Sequence, residues 1–287
     1  MKKFNRLAVL LFFIAVSSVF ALSSCRNRVP QSIEIAILMY HDIGPEPVPE
    51  NVFAISTESF RAQMQALHDA GFTTINFEDL IDFVDNGTRL PQNPIIITFD
   101  DGYSSNLELA APILEEFGMN ATINVVGISR GRDTYRNTDI PSTPHFSWDE
   151  VQPWVERGVI NIGHHSYDMH RWHRFEGEPW RLGVLPMPDE CEQEYVQALT
   201  DDFERLRDIV MAELDKDILV FAYPYGIYSP QSEEVLQNLG VRVTLTIEAG
   251  TNIICQGNPD SLFLLNRINM TDETDIASLI LFLKSEE

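Results

Sequence analysis

Positive charge is scarce in this sequence. Twenty lysines and arginines face 43 aspartates and glutamates, a formal net charge of -23 over 287 residues. A surface of that sign excludes nucleic acid and anionic lipid as recognised partners, because both require a basic face. Cysteine is scarce too: Cys25, Cys191 and Cys255 are the three, and none sits in a CxxC pair or near a histidine cluster. That excludes a cysteine-built metal site. No internal repeat or low-complexity stretch occurs. Hydrophobic residues are plentiful at 44%, enough for a substantial core, and the length suits one large domain or two small ones.

The one long apolar run lies at the start. "MKKFNR" is a basic lead, and "LAVLLFFIAVSSVFA" (Leu7 to Ala21) has the length of a signal-peptide core. It is short and wrongly flanked for a membrane span. "LSSC" follows, and it resembles the cleavage box of bacterial lipoproteins. The sequence is therefore expected to divide into a lipoprotein signal peptide (1–24), a tether (25–31) and one domain (32–287). Cys25 is the expected lipidation site, and the chain is expected to be exported and lipid-anchored to the cell membrane or envelope. An ordinary signal peptide is the alternative. Removing residues 1–24 takes away Lys2, Lys3 and Arg6 and no acid, so the charge becomes -26. Export would permit a disulfide between Cys191 and Cys255.

Beyond the tether, strand and helix patterns alternate. "SIEIAILMY" reads as a strand, and "ISTESFRAQMQALHDAG" as a helix capped by Ser56 and stopped by Gly71. "IIITF" is an unbroken apolar run, as in strands buried on both faces. "SNLELAAPILEEFG" has helical spacing. "ATINVVG", "VINIGHHS", "ILVFAYPYG", "VRVTLTI" and "LFLLNRINM" read as strands, with helices between and after them. Such alternation predicts an α/β fold with a parallel sheet, near the size of a βα barrel. Residues 171–190 lack periodicity and read as a surface loop.

In such folds active sites gather at the C-terminal ends of strands. Here the strands end on His41 and Asp42, on Asp100 and Asp101, on His164 and His165 with His170 nearby, and on Tyr223, Pro224 and Tyr225. Three strands far apart in sequence thus bring titratable groups to one rim, which packing alone does not explain. Two histidines and a carboxylate suit zinc, with cobalt and nickel as alternatives. A cation also answers the repulsion between Asp100 and Asp101, since one can ligate it while the other stays ionised as a general base.

These motifs resemble those of the polysaccharide deacetylases, a carbohydrate esterase family that removes acetyl groups from sugars. "TFDDGY" is similar to the first motif, "HHSYDMH" to the second and "FAYPYG" to the third. With "LMYHDI" and "LLNRINM", the likeness spans about residues 33–285. It lies nearest the branch related to poly-N-acetylglucosamine deacetylases. The resemblance implies a distorted (β/α)7-type barrel. It implies Asp100 as general base, Asp101, His165 and His170 as metal ligands, and His41 as general acid. It places Tyr223, Pro224, Tyr225 and Gly226 in the substrate groove, with a backbone N–H near Tyr225 completing an oxyanion hole.

Strand alternation favours His165 over His164 as ligand, leaving His164 packed. His68, His145 and His173 read as structural or surface residues. Asp42 could orient His41 or cap a turn, and Asp168 could shape its loop. Trp148 suits the core, and Trp172 could stack on sugar. Other branches carry an arginine within the third motif, and this chain does not. Arg267 is the candidate tether for the base. The expected partner is an acetylated amino-sugar polysaccharide and the expected state a monomer. An O-acetyl-polysaccharide esterase of the xylan type, or an inactive carbohydrate-binding lipoprotein, are the alternatives. Without a cation, Asp100 and Asp101 are expected to share a proton more readily.

Overall fold

A computed structural model of the chain describes residues 31–46, 53–172 and 180–285. Cys25, with the signal segment and most of the tether, lies outside the described residues, and so does His173.

Six strands form the body of the sheet: β1 (Ser32–Tyr40), β5 (Pro94–Asp101), β6 (Ala121–Val125), β7 (Ile160–His164), β8 (Val220–Ala222) and β9 (Val243–Leu245). They lie in that order, and each pair is parallel. A short strand β4 (Thr73–Thr74) adds to β5, and β2 (Asp42–Gly44) pairs with β3 (Ala54–Ser56) in a separate ribbon. The sheet curls strongly. Leu265 bridges to Leu245 at the end of β9, and β11 (Ile268–Asn269) pairs with β1. The predicted strand over residues 262–270 therefore joins the two sides of a distorted α/β barrel, although little of it is regular. Sequence reading missed β10 (Asn252–Cys255), which runs antiparallel to the start of β1. Its four residues are too few to show a period.

Alternation along each strand sorts the core. In β5, Ile95, Ile97 and Phe99 face the outer helices at 57–69, 111–116 and 148–156, while Ile96 faces the barrel interior. In β8, Val220 and Ala222 point inward and Phe221 points out to the helices at 192–214 and 230–238. The unbroken apolar runs in the sequence are thus the mark of strands buried on both faces. The predicted helix after Asp101 forms, but its first turn, Asn106–Ala110, is a widened π turn. Such turns concentrate at functional sites. Trp148 packs against the outer core. Cys191 and Cys255 are both free thiols, so the disulfide that export would permit is not formed.

Candidate active site

Strand register brings the polar residues together. Asp100 on β5 is paired with Asn124 on β6, and Asn124 with Gly163 on β7. Period 2 puts all three on the interior face with Ile96. Asn124 Nδ2 donates to Asp100 Oδ1 at 2.8 Å. A Cβ on Gly163 would lie 2.1 Å from Asn124 Oδ1, so only glycine leaves room for that amide. Arg267 completes the clamp with two parallel bonds, Nη1 to Oδ1 at 2.8 Å and Nη2 to Oδ2 at 2.7 Å. The pair is buried, with Asp100 2% exposed and Arg267 0%. Burial alone would raise the Asp100 pKa. The guanidinium overrides it and holds the carboxyl far below the ordinary range. The expected sharing of a proton between the two aspartates therefore gives way, because Arg267, and not only a cation, keeps Asp100 ionised.

Asp101 would face the helices if β5 stayed regular. It instead adopts φ +72°, which turns its carboxylate back towards the cleft. Ser166 and Tyr225, at the ends of two other strands, share this left-handed backbone at +70° and +60°. Non-glycine residues held there store about 1–3 kcal/mol each, and such strain gathers at functional sites. Tyr103 donates to Asp101 Oδ2 at 2.8 Å, which leaves Oδ1 towards the histidines. Arg130 secures the same turn through the Asp101 and Gly102 carbonyls.

His164 and His165 part ways at the end of β7. His164 points outward and stacks between Phe203 and Phe221 at 4.7 and 5.0 Å. Its Nδ1 accepts from the Ser166 N–H and its Nε2 faces the Phe203 carbonyl, so both ring nitrogens are used. Burial lowers its pKa to about 3. His165 points inward. Its Nδ1 bonds the Ala222 carbonyl at 2.7 Å, which fixes the proton there and leaves the Nε2 lone pair free. Burial lowers its pKa to about 4, so the ring is neutral near pH 7.

Asp101 Oδ1 lies 3.7 Å from His165 Nε2 and 3.4 Å from His170 Nε2. The three donor atoms all lie within 4.8 Å of one another. Among the described residues this is the one such group. Two imidazole nitrogens and a carboxylate, brought this close, fit a divalent metal site. The loop carrying His170 is held from below. Asp202, on the helix at 192–214, accepts the N–H groups of Tyr167 and Asp168, both at 2.7 Å. Asp168 itself pairs with Arg136 and Arg171, so it shapes the loop.

A cleft of about 640 Å³ gathers His41, Asp100, Asp101, His165 and His170 with Tyr225. His41 packs against Phe53, and its Nδ1 is buried without a partner among the described residues. Burial lowers its pKa, and Asp100 and Asp101 pull it back up. Asp42 does not orient it, because the Asp42 carboxylate receives the Ser105 hydroxyl at 2.6 Å. Trp172 lines the cleft and stacks on Tyr135.

The third motif reaches the cleft through Tyr223 and Tyr225, which both line it, although the Tyr223 ring turns away. Tyr223 is 0% exposed and its hydroxyl donates to Glu233, because alternation puts it on the outer face with Phe221. Pro224 is buried as well. Of the four expected groove residues, Tyr225 places its ring in the cleft, 4.4 Å from the His170 ring. Gly226 has φ +67° and a Cβ there would strike Ile247. Sequence reading missed Asn124, Tyr103, Arg130, Asp202 and Phe53. An asparagine inside the apolar "ATINVV" and an acid on the buried face of a helix were the available signals.

A curled α/β barrel with an Asp–His–His donor triad at its strand ends defines a class of metal-dependent hydrolases. The family model described as polysaccharide deacetylase matches residues 87–244, more than half of the chain, and the protein belongs to that family. YxkH of Bacillus subtilis, whose name assigns it to the same family, is 24% identical over 244 residues, covering 85% of this chain and 74% of that protein. The poly-beta-1,6-N-acetyl-D-glucosamine N-deacetylase of Escherichia coli is 21% identical over 226 residues. That match covers 74% of this chain but 34% of the E. coli protein, so the likeness spans about a third of that relative. A de-N-acetylase structure from Aggregatibacter actinomycetemcomitans superposes with a TM-score of 0.73 at 21% identity, covering 87% of this chain and all of that one.

Proposed function

We propose that the protein removes N-acetyl groups from an N-acetylglucosamine polymer outside the cell, while a lipid on Cys25 holds it to a membrane. One observation carries the chemistry. A single cleft contains both a carboxylate kept ionised by Arg267 and a triad of donors aimed at one point. The substrate named for the E. coli relative supports the choice of polymer.

Asp101, His165 and His170 would hold the metal. A divalent cation there, with zinc the default, would supply Lewis-acid activation of an acetyl carbonyl and of water. Asp100 takes a proton from the attacking water as the new C–O bond forms. Arg267 holds the Asp100 carboxyl below the ordinary range, so the base is ionised for this step. The backbone N–H of Tyr225 would donate to the developing oxyanion. His41 then delivers a proton to the sugar nitrogen as the C–N bond breaks, leaving acetate and a free amine. The product amines are cationic, in keeping with the acidic surface.

The test is deacetylation of defined acetylated oligosaccharides, N-linked and O-linked, by metal-loaded protein with and without chelator. Release of acetate from the N-acetyl set, abolished by chelator, is the expected result. Turnover confined to O-acetyl-xylan fragments would replace the substrate reading, and binding without turnover would sink the enzymatic one.

A further inference from the structure

We infer that the end of the barrel opposite the cleft rests on a bilayer of neutral headgroups and holds the cleft away from the membrane. The inference rests on the lipid-anchor reading of Cys25. It begins from the final helix, Ile276–Ser285, "IASLILFLKS". Leu279, Ile280 and Leu283 pack on the core, yet Leu281 is 72% exposed and Phe282 47%. Leu283 lines a groove of about 340 Å³ with Ser32, Phe72 and Pro94, which places this end of the helix beside the starts of β1 and β5. On the far side of the groove β10 carries Ile253, 67% exposed and paired in register with Glu34. Ile253, paired with the groove residue Glu34, and Leu281 and Phe282, on the helix that supplies Leu283, thus stand exposed beside the elements that line this groove.

The tether says what meets them. Six residues, 26–31, separate Cys25 from Ser32. Fully extended they reach about 20 Å, so an acyl group on Cys25 keeps this end near the headgroups whatever path the tether takes. A lipid anchor brings this face to the headgroups, and an apolar face there adds its own buried area to the hold. The net charge of -26 on the mature chain, and Glu34 in the groove itself, oppose anionic headgroups. His41 follows the far end of β1, whose nine residues span about 30 Å. The cleft would therefore work on polymer standing off the surface.

The test compares the full mature chain, lipidated and as Cys25→Ser, on phosphatidylcholine vesicles. The mass of the Cys25 peptide reports the anchor alone. Hydrogen exchange of the vesicle-bound lipoprotein should slow at 252–255 and 276–285 and stay unchanged around Tyr225. A Leu281→Ser/Phe282→Ser variant should lose that protection while remaining lipid-anchored and keeping its turnover of short soluble oligosaccharides. The same variant should cut vesicle binding of the Cys25→Ser chain by at least about tenfold, the effect of one partly buried apolar side chain. Equal exchange on vesicles and in solution overturns the inference. So does protection that follows protein concentration without lipid, which would mean a second copy on this face. If Cys25 carries no lipid, the anchor reading fails by itself, and failure of the Cys25→Ser chain to bind vesicles then overturns the face as well.

Discussion

The two ends of the barrel invert each other. Where the strands finish, charged and polar side chains are buried: Asp100, Asp101, His165 and Arg267 are each under 9% exposed. Where the strands begin, Ile253, Leu281 and Phe282 stand in the open. A polar group out of water is costly unless it is paired, and at the cleft end both Asp100 oxygens and both His164 nitrogens are paired. An apolar group in water carries no such demand for geometry. The cleft end should therefore respond sharply to small changes, and the opposite end hardly at all.

The sharpest break is Asp100→Asn. Rate should fall about 10²–10⁴-fold while metal content, read by elemental analysis, is retained. His165→Ala should lose both, and near-full turnover in Asp100→Asn would sink the base assignment. Next is Arg267→Met, which leaves a carboxylate 2% exposed with no counter-charge. Removing one partner of such a pair costs about 3–5 kcal/mol, measurable by denaturant unfolding. With the guanidinium gone, burial dominates and raises the Asp100 pKa. Activity that needs the ionised form should then fail at the acid end of the pH profile, where the natural protein still works. An unmoved acid limb would remove Arg267 from the mechanism.

Gly163→Ala tests the clamp at one remove. The added methyl must displace Asn124, an overpacking penalty of about 1–3 kcal/mol. Its effect on rate should largely vanish in an Asn124→Ala background, and simple additivity of the two would show that Gly163 acts elsewhere. A smaller effect concerns His145, whose pKa burial lowers to about 4. Between that value and the unfolded value of about 6.5 the unfolded chain binds more protons, so stability rises with pH across this window and falls on acidification. Thermal melts of His145→Leu should therefore lose less Tm between pH 7 and pH 4.5 than the natural chain. At the opposite end, Phe282→Ser should leave stability within about 0.5 kcal/mol and turnover unchanged. A large loss there would erase the contrast between the ends.

Much of the cleft was legible because strand alternation is a simple code. It separated His165 from His164, while His41 and Asp100 were singled out by their places at strand ends and by the family resemblance. The same code, applied to Tyr223, would have shown it facing the helices with Phe221. The groove reading of the third motif came from the family resemblance, and Tyr223 and Tyr225 do line the cleft, with the Tyr223 ring packed outward. The alternation also fails at Asp101, where a left-handed residue reverses the expected direction, and a sequence alone does not announce a positive φ on aspartate. Arg267 was legible only as a charge at a strand end. That it grips Asp100 with two nitrogens depends on the curl of the sheet, which brings residue 267 against residue 100 from the far side. Asn124 and Asp202 showed only as polar residues on buried faces, which does not say what they hold, and Tyr103 had no period to reveal it.

The Ala222 carbonyl that receives His165 Nδ1 belongs to the main chain. Any residue at position 222 other than one that distorts β8 offers the same oxygen. The imidazole at 165 is thus aimed by an atom that point mutation cannot delete. The carboxylates are aimed by side chains: Arg267 and Asn124 for Asp100, Tyr103 for Asp101. As a lineage drifts, the two halves of the cleft should age differently. A descendant relieved of selection would lose the grip on its aspartates first and could retain a well-oriented histidine long after turnover had gone.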